Sequence, residues 1–421
     1  MPSNGPEPSP PAQDPGQGGD VALGRWSLAR ELEDSTLRRE LLGAPASPLD
    51  DPASTSRERR LRFTGTGSEY FRIWIVNVLL TLLTLGVYSA WAKVRKARWF
   101  AQHTELEGDR FDFHGSAPRI LVGRIVAVVL LALWTFSFDW SAELGIAVLG
   151  LFCVMGPLLF ASAQRFKLAN SSWRGLRFGF AVPRAKLYAV CLPLLLLWTA
   201  GTVAQAVGAE GVWLVAAALP PFIGLPWAHA RLKQMQHDHA NFGAQRFHYR
   251  PSTPEFYGLY AVGLVLLLVA GAFGATLAGL FKQLGASADI VSVHWREGLL
   301  AGVCLTILAW LIVWPYFAAR LQQIVWGHTE LDSGASRIAF RGTMRSGPFW
   351  GLTWRHGLGV LVSCGLWWPF AAVAFARYRV ESLVVVTGGE ALPVLSGTSA
   401  ADERQAAGDG AADFFGLDLG W

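Results

Sequence analysis

Apolar and polar positions divide the chain into a polar beginning, a long middle of apolar runs joined by short basic connections, and a polar end. A helix needs about 20 apolar residues to cross the hydrocarbon core of a bilayer. Six runs reach that length, at residues 120–138, 142–163, 187–207, 211–229, 256–281 and 298–319, and they predict transmembrane helices. Two further stretches, 72–92 and 353–376, are apolar but less regular. Each contains a break, Thr84-Leu85-Gly86-Val87-Tyr88-Ser89 in the first and Cys364-Gly365-Leu366-Trp367-Trp368-Pro369 in the second.

Lys and Arg collect in alternate connections, which assigns those connections to the cytoplasm. One holds Lys93, Arg95, Lys96, Arg98, Arg110 and Arg119, the next Arg165, Lys167, Arg174, Arg177, Arg184 and Lys186. Arg231, Lys233, Arg246 and Arg250 follow, then Arg320, Arg337, Arg341 and Arg345. The other connections are short and poor in basic residues, so the six runs pair as three hairpins rooted in the cytoplasm. Arg57, Arg59, Arg60 and Arg62 flank the segment 72–92 on one side and Lys93 to Arg98 on the other, so both flanks ask to be cytoplasmic. A re-entrant pair that dips in and returns resolves the conflict if its broken backbone is buried in protein; eight full crossings are the alternative. The expected fold class is an all-α polytopic membrane protein: six transmembrane helices plus two terminal spanning or re-entrant segments, with short repeated cytoplasmic β-hairpins.

The hairpin expectation comes from a recurring pattern in the basic connections. Arg followed by an apolar residue leads into another aromatic or a small residue at Arg62-Phe63-Thr64-Gly65, Arg110-Phe111-Asp112-Phe113, Arg177-Phe178-Gly179-Phe180, Arg246-Phe247-His248-Tyr249 and Arg337-Ile338-Ala339-Phe340. His103, Asn170 and His239 each lie seven residues before their Arg, and His328 lies nine before. Two copies share the tetrapeptide His-Thr-Glu-Leu, at His103 to Leu106 with Glu105 and at His328 to Leu331 with Glu330. Gly108, Gly175, Gly243 or Gly334 stands between, so each copy reads as strand, Gly turn and strand. On one reading the aromatics pack under the helices while each Arg snorkels or pairs. On the other, Arg110, Arg177, Arg246 and Arg337, with His103, Glu105, His328 and Glu330, present a platform to an anionic ligand, lipid head group or protein partner.

Composition supports the membrane assignment: of 421 residues, 52% are hydrophobic and 16% charged, against about 25% charged in ordinary soluble domains. A net charge of +5 sits between apolar runs rather than on a polar body, which argues against nucleic acid. Cys153, Cys191, Cys304 and Cys364 all lie inside apolar runs without metal-ligand spacing, and His237-Asp238-His239 lacks a second ligand pair, so no metal and no cofactor are expected. No P-loop, GxSxG or HExxH is present, so no enzyme is expected. Asn77 lies near the middle of the first apolar segment, where a polar group needs a partner or lines a path. Residues 1–60, rich in Pro, Gly, Ser and Ala, predict a disordered tail, interrupted by an imperfectly amphipathic helix over 22–42. Residues 388–421 predict a flexible tail, leaving 61–387 as the membrane domain.

The stretch from Phe63-Thr64-Gly65-Thr66-Gly67-Ser68-Glu69-Tyr70-Phe71 through Asn77 to Thr84-Leu85-Gly86-Val87-Tyr88-Ser89-Ala90-Trp91-Ala92-Lys93-Val94-Arg95 resembles the opening signature of the YjgN family of bacterial inner-membrane proteins. The resemblance runs from 61 to 387, with Ala90 where the family pattern has Pro and with a longer N-terminal tail. It implies a multi-pass location in the bacterial inner (cytoplasmic) membrane and supplies no mechanism. Two functions remain in view: passing or handling a small solute or lipid, or a non-catalytic scaffold that binds a partner through its Arg-aromatic hairpins.

Overall fold

The computed structural model describes residues 57–206, 208, 210–285, 294–332 and 337–388. The helix over 22–42, the turn at Gly334 and the expected tails as far as residue 56 and from 389 lie outside the described residues, while 57–60, expected in the first tail, form a strand. Within them the chain runs five times from a strand through two helices into a second strand. The first passage is β1 (Arg57–Arg60) and β2 (Arg62–Phe63), α1 (Gly67–Leu83), α2 (Ser89–Gln102) and β3 (Thr104–Leu106). The second is β4 (Asp109–Phe113), α3 (Ala117–Trp140), α4 (Ala142–Ala169) and β5 (Ser171–Trp173). The third is β6 (Leu176–Phe180), α5 (Arg184–Ala206), α6 (Val212–Asp238) and β7 (Ala240–Phe242). The fourth is β8 (Gln245–Tyr249), α7 (Thr253–Gly285), α8 (His294–Gly327) and β9 (Thr329–Asp332). The fifth is β10 (Arg337–Gly342), α9 (Ser346–Val362), α10 (Trp368–Glu381) and β11 (Leu383–Thr387).

The all-α expectation is wrong. The hairpins join edge to edge into one antiparallel sheet of eleven strands, in the order β1-β11-β10-β9-β8-β7-β6-β5-β4-β3-β2. Its two ends, β1 and β2, are separated only by Leu61, so residues 57–63 pair with β11 on one side and β3 on the other. Leu61 itself donates its N–H to the Leu383 carbonyl at 3.4 Å. The sheet is thereby a nearly closed ring. Edge strands carry unpaired N–H and C=O groups, and closure satisfies them. Strand alternation sends one face of every strand inward: Leu106, Trp173, Phe242, Leu331, Ile338 and Val385 are buried there, with Leu61, Phe111, Leu176, Phe178, Phe247 and Phe340 against them. Small barrels are filled by their own side chains in this way. The ring encloses a packed core rather than a channel.

The expectation of six transmembrane helices is also corrected. Among the described residues three helices are long and apolar enough to cross a membrane, Ala117–Ser137, Ala142–Ala169 and Thr253–Gly274, with a fourth if Arg184–Leu196 and Thr199–Gln205, bent by 49°, count as one span. Run length was an incomplete guide because helix in this fold also serves to reach the sheet. α6 continues through Arg231, Lys233 and Asp238, and α8 through Arg320 to Gly327, before each turns into a strand. The stretches 72–92 and 353–376 are each two shorter helices that leave the sheet and return to it, which places both basic flanks of the first on one side. Consecutive helices pack on one another, and α10 packs on α1.

One local device fastens each helix pair to the ring. The residue that ends the second helix, His103, Asn170, His239 or His328, turns its side chain back to the carbonyl four residues earlier, at 2.7–3.1 Å. That satisfies one of the carbonyls a helix end leaves without a partner. Its own carbonyl accepts the N–H just past the strand that entered the pair: Thr64 to His103 at 2.9 Å, His114 to Asn170 at 2.8 Å, Ala181 to His239 at 3.0 Å, Arg250 to His328 at 2.9 Å and Thr343 to Ser382 at 2.7 Å. The seven-residue spacing in the sequence is cap, three-residue strand, two-residue turn and the first residue of the next strand, with Arg second in that strand. At Glu107-Gly108 (φ +54°, +86°) and Arg174-Gly175 (φ +50°, +77°) both turn residues are left-handed. That is the primed turn whose twist matches a hairpin.

Candidate functional site

The arginines singled out in the sequence do not converge. Arg110, Arg246 and Arg337 are exposed on the outer face of the ring and Arg177 is half-buried there. Carboxylates stand between them: Glu105 is opposite both Arg62 and Arg110, and Asp332 is opposite both Arg246 and Arg337. Arg62 Nε is 3.9 Å from Glu105 Oε1, and Glu330 forms an ion pair with Arg250. At these two places opposite charges across strands are mutually favourable, whereas Ser172 is opposite Arg177 and Asn241 is the second neighbour of Arg246.

The two predicted histidines tie helix feet together. His328 Nε2 is 3.1 Å from Glu255 Oε1 at the start of α7, and His103 Nε2 is 3.9 Å from Glu69 Oε2 in α1. Burial opposes the charge on His328, but its bonds to Glu255 and to the Ile324 carbonyl outweigh that and raise its pKa. The His237-Asp238-His239 run points three ways: His237 to Thr329 at 3.0 Å, Asp238 to the Tyr249 N–H at 2.6 Å, and His239 to the Met235 carbonyl. Burial, with the Lys233 charge beside it, holds His237 neutral far below its ordinary value.

Asn77 leads elsewhere. It is buried in α1, and its Oδ1 accepts a hydrogen bond from Arg95 Nη1 of α2 at 3.3 Å. Arg95 and Arg98, one turn apart, line a cleft of about 510 Å³ between α2 and the start of α3. Tyr88, Trp91 and Trp99 wall it, and Ser116, the residue before α3, closes its foot. The cleft follows α2 from Gln102 at the sheet to Tyr88 at the far tip, about 20 Å at the helical rise per residue. Arg98 Nε donates to the Phe113 carbonyl at 3.2 Å, and Arg124 reaches Ser89 near the tip. Among the described residues no carboxylate lines the cleft; the nearest acid on this path, Asp112, takes a bond from Gln102 at 3.2 Å. Beyond the tip, Leu82, Leu83 and Leu85 are exposed. Of this site the sequence indicated only Asn77. Arg95 and Arg98 read as topology signals, because their convergence with Ser116 depends on how α2 lies against α3.

Apolar side chains such as Val128, Val129, Leu133, Val265, Leu268 and Val269 are exposed along helices long enough to cross a bilayer. Apolar patches of this extent belong in lipid, and the fold is that of an integral membrane protein with a β-ring at the feet of its helices. The chain belongs to the family described as "Bacterial protein of unknown function (DUF898)", whose model matches residues 58–414. It is similar to Inner membrane protein YjgN of Salmonella typhimurium strain LT2, 24% identical over 351 residues that cover 77% of this chain and 88% of the relative. It is also similar to Inner membrane protein YjgN of Escherichia coli strain K12, 32% identical over 145 residues, 34% of this chain and 36% of the relative. No solved structure matches the chain. The protein resides in the bacterial inner membrane, in a family of unknown function.

Proposed function

We propose that the protein is a multi-pass, non-catalytic membrane protein that handles an anionic lipid or lipid-like amphiphile in the cleft beside α2. α3, α4 and α7 cross the bilayer in this reading, α8 brings the chain back from α7 to the ring, and the ring, with the basic residues gathered at the helix feet, lies in the cytoplasm. The five similar passages derive from one repeated unit, a reading supported by the shared cap and the shared strand-to-cap hydrogen bond. The observation that carries the function is the lining of the cleft: guanidinium groups of Arg98 and Arg95 from its foot to its middle, aromatic walls along it, Arg124 on Ser89 near the tip and exposed leucines beyond. Cationic groups beside aromatic and apolar surface suit a molecule with a charged head and an apolar tail. Passage through the ring is disfavoured by the apolar core that fills it. A scaffold role would draw instead on the outer face of the ring, whose paired charges suit a partner presenting both signs.

The test is the lipid that accompanies the full-length protein out of the membrane. Purified in mild detergent, the wild type is expected to retain an anionic lipid enriched over the bulk membrane, and Trp91→Ala is expected to retain less. A wild type whose bound lipid mirrors the bulk composition, unchanged in the variant, would sink the lipid reading. Arg110→Ala with Arg246→Ala would then examine the scaffold reading through loss of a crosslinked partner.

A further inference from the structure

Within the reading of the cleft as a lipid site, on which this inference rests, the structure says what the head group is. Three junctions between successive passages can be compared. At each, the side chain five residues before the cap reaches the chain that enters the next helix pair. Arg377 Nη2 donates to the Gly65 carbonyl at 2.8 Å and Gln323 Nε2 to the Met344 carbonyl at 2.6 Å. Arg98, the equivalent residue, bonds instead to Phe113, two residues short of the matching Gly115.

The junction around Arg377 is filled. Phe370 stacks on Phe71 and Trp367, with ring centroids at 5.8 and 4.7 Å, and lies so close to Gly67 that a Cβ there would come within 2.6 Å of its ring. Trp91 is the equivalent of Phe370, twelve residues before the cap, yet it is 38% exposed and the space beside it is the open cleft. The same architecture that is closed at one junction is therefore open at another.

The open junction presents donors. Arg95 and Arg98 supply guanidinium forks that match phosphate oxygens. Ser116 caps α3 without bonding its first turn, and its Oγ is buried with no hydrogen-bond partner. Groups left so need an explanation, commonly a bound species. The start of α3, a helix of 24 residues with Pro118 in its first turn, adds the positive end of its dipole. We propose that the cleft is a phosphate-binding site, with the phosphate held by Arg95, Arg98, Ser116 and the first turn of α3, and any attached acyl chains lying along Trp91 and Tyr88 toward the apolar tip.

The experiment measures binding to the full chain in detergent by native mass spectrometry and thermal shift, with three probes: phosphatidylglycerol, diacylglycerol of the same acyl chains, and inorganic phosphate. Phosphatidylglycerol is expected to bind and raise Tm while diacylglycerol does not. Arg95→Gln with Arg98→Gln should weaken it by about tenfold or more, as befits lost charge-assisted bonds. Ser116→Ala removes a hydroxyl that has no partner in the protein, so its ligand-free Tm should match the wild type while lipid binding falls by about threefold. Equal binding of both lipids, insensitive to Ser116→Ala and to the arginine pair, overturns the phosphate site and leaves lipid handling standing. A response to inorganic phosphate alone upholds the site and overturns the lipid. No response to any probe overturns both.

Discussion

At the residue scale the working parts are polar side chains that finish helices. His103, Asn170, His239 and His328 each bond the carbonyl one turn back, and Thr104, Ser171 and Thr329 repeat the bond one residue later at 2.7–2.9 Å. His328 adds an ion pair with Glu255, and this gives the fold a pH dependence with a definite sign. His328 has a folded pKa raised above 6.5, so the stability it contributes is complete below 6.5 and is lost as pH rises through the folded value. His328→Gln keeps a side-chain donor for the Ile324 carbonyl but cannot carry the charge. Thermal melts between about pH 5.5 and 8.5 should lose Tm with rising pH in the wild type and stay flatter in the variant. Equal slopes would remove His328 from this role.

At the scale of elements, the short helix pairs of the first and fifth passages are twins. α1 ends with the Gly86 N–H on the Thr81 carbonyl at 2.8 Å and the Leu85 N–H on Leu82; α9 ends with Gly365 on Val360 at 2.8 Å and Cys364 on Leu361. Those paired bonds are the Schellman arrangement. It requires left-handed backbone at Leu85 and Cys364 and, next to them, φ of +93° at Gly86 and +94° at Gly365. A side chain at either glycine would meet nothing within 4 Å, so the cost of adding one is conformational alone. Gly86→Ala and Gly365→Ala should each cost about 1–2 kcal/mol, read as faster hydrogen exchange of the turn and helix ends of its own pair and not of the other. The breaks at Thr84–Ser89 and Cys364–Pro369 were legible because Gly86 and Gly365 interrupt apolar runs. Their hand and hydrogen bonding follow from the positive φ values.

At the scale of the whole described fold, residues 57–63 decide the architecture, since they join β3 to β11 across most of the chain. Arg59, nearly buried, reaches both Thr387 and Glu107 from that segment. Leu61→Pro would delete the N–H that bonds Leu383 and disturb both pairings. The loss should be about 1 kcal/mol or more, accompanied by faster proteolysis near residues 57–63 and by self-association through the exposed edges of β3 and β11 in size-exclusion chromatography. A variant that stays monodisperse and protected would mean that the ring does not depend on this closure.

What the sequence determined by itself were features set by neighbours along the chain: apolar runs that become helix, Gly turns, strands in which Phe111 and Phe113, or Phe178 and Phe180, share a face, and caps seven or nine residues before Arg. Each depends on periodicity or backbone sterics within about ten residues. Only the tertiary structure decided that these strands join into one ring, that Glu105 and Asp332 each stand between two outer arginines of other strands, and that Arg95 and Arg98 meet Ser116 in an open cleft while Phe370 fills the matching junction. Strand edges carry the same N–H and C=O groups whatever their side chains, so local pattern names a strand without naming its partner. The cleft depends on how one side chain packs against a helix it does not adjoin in sequence. Such choices are made by packing between distant segments, where the composition of either segment alone is silent.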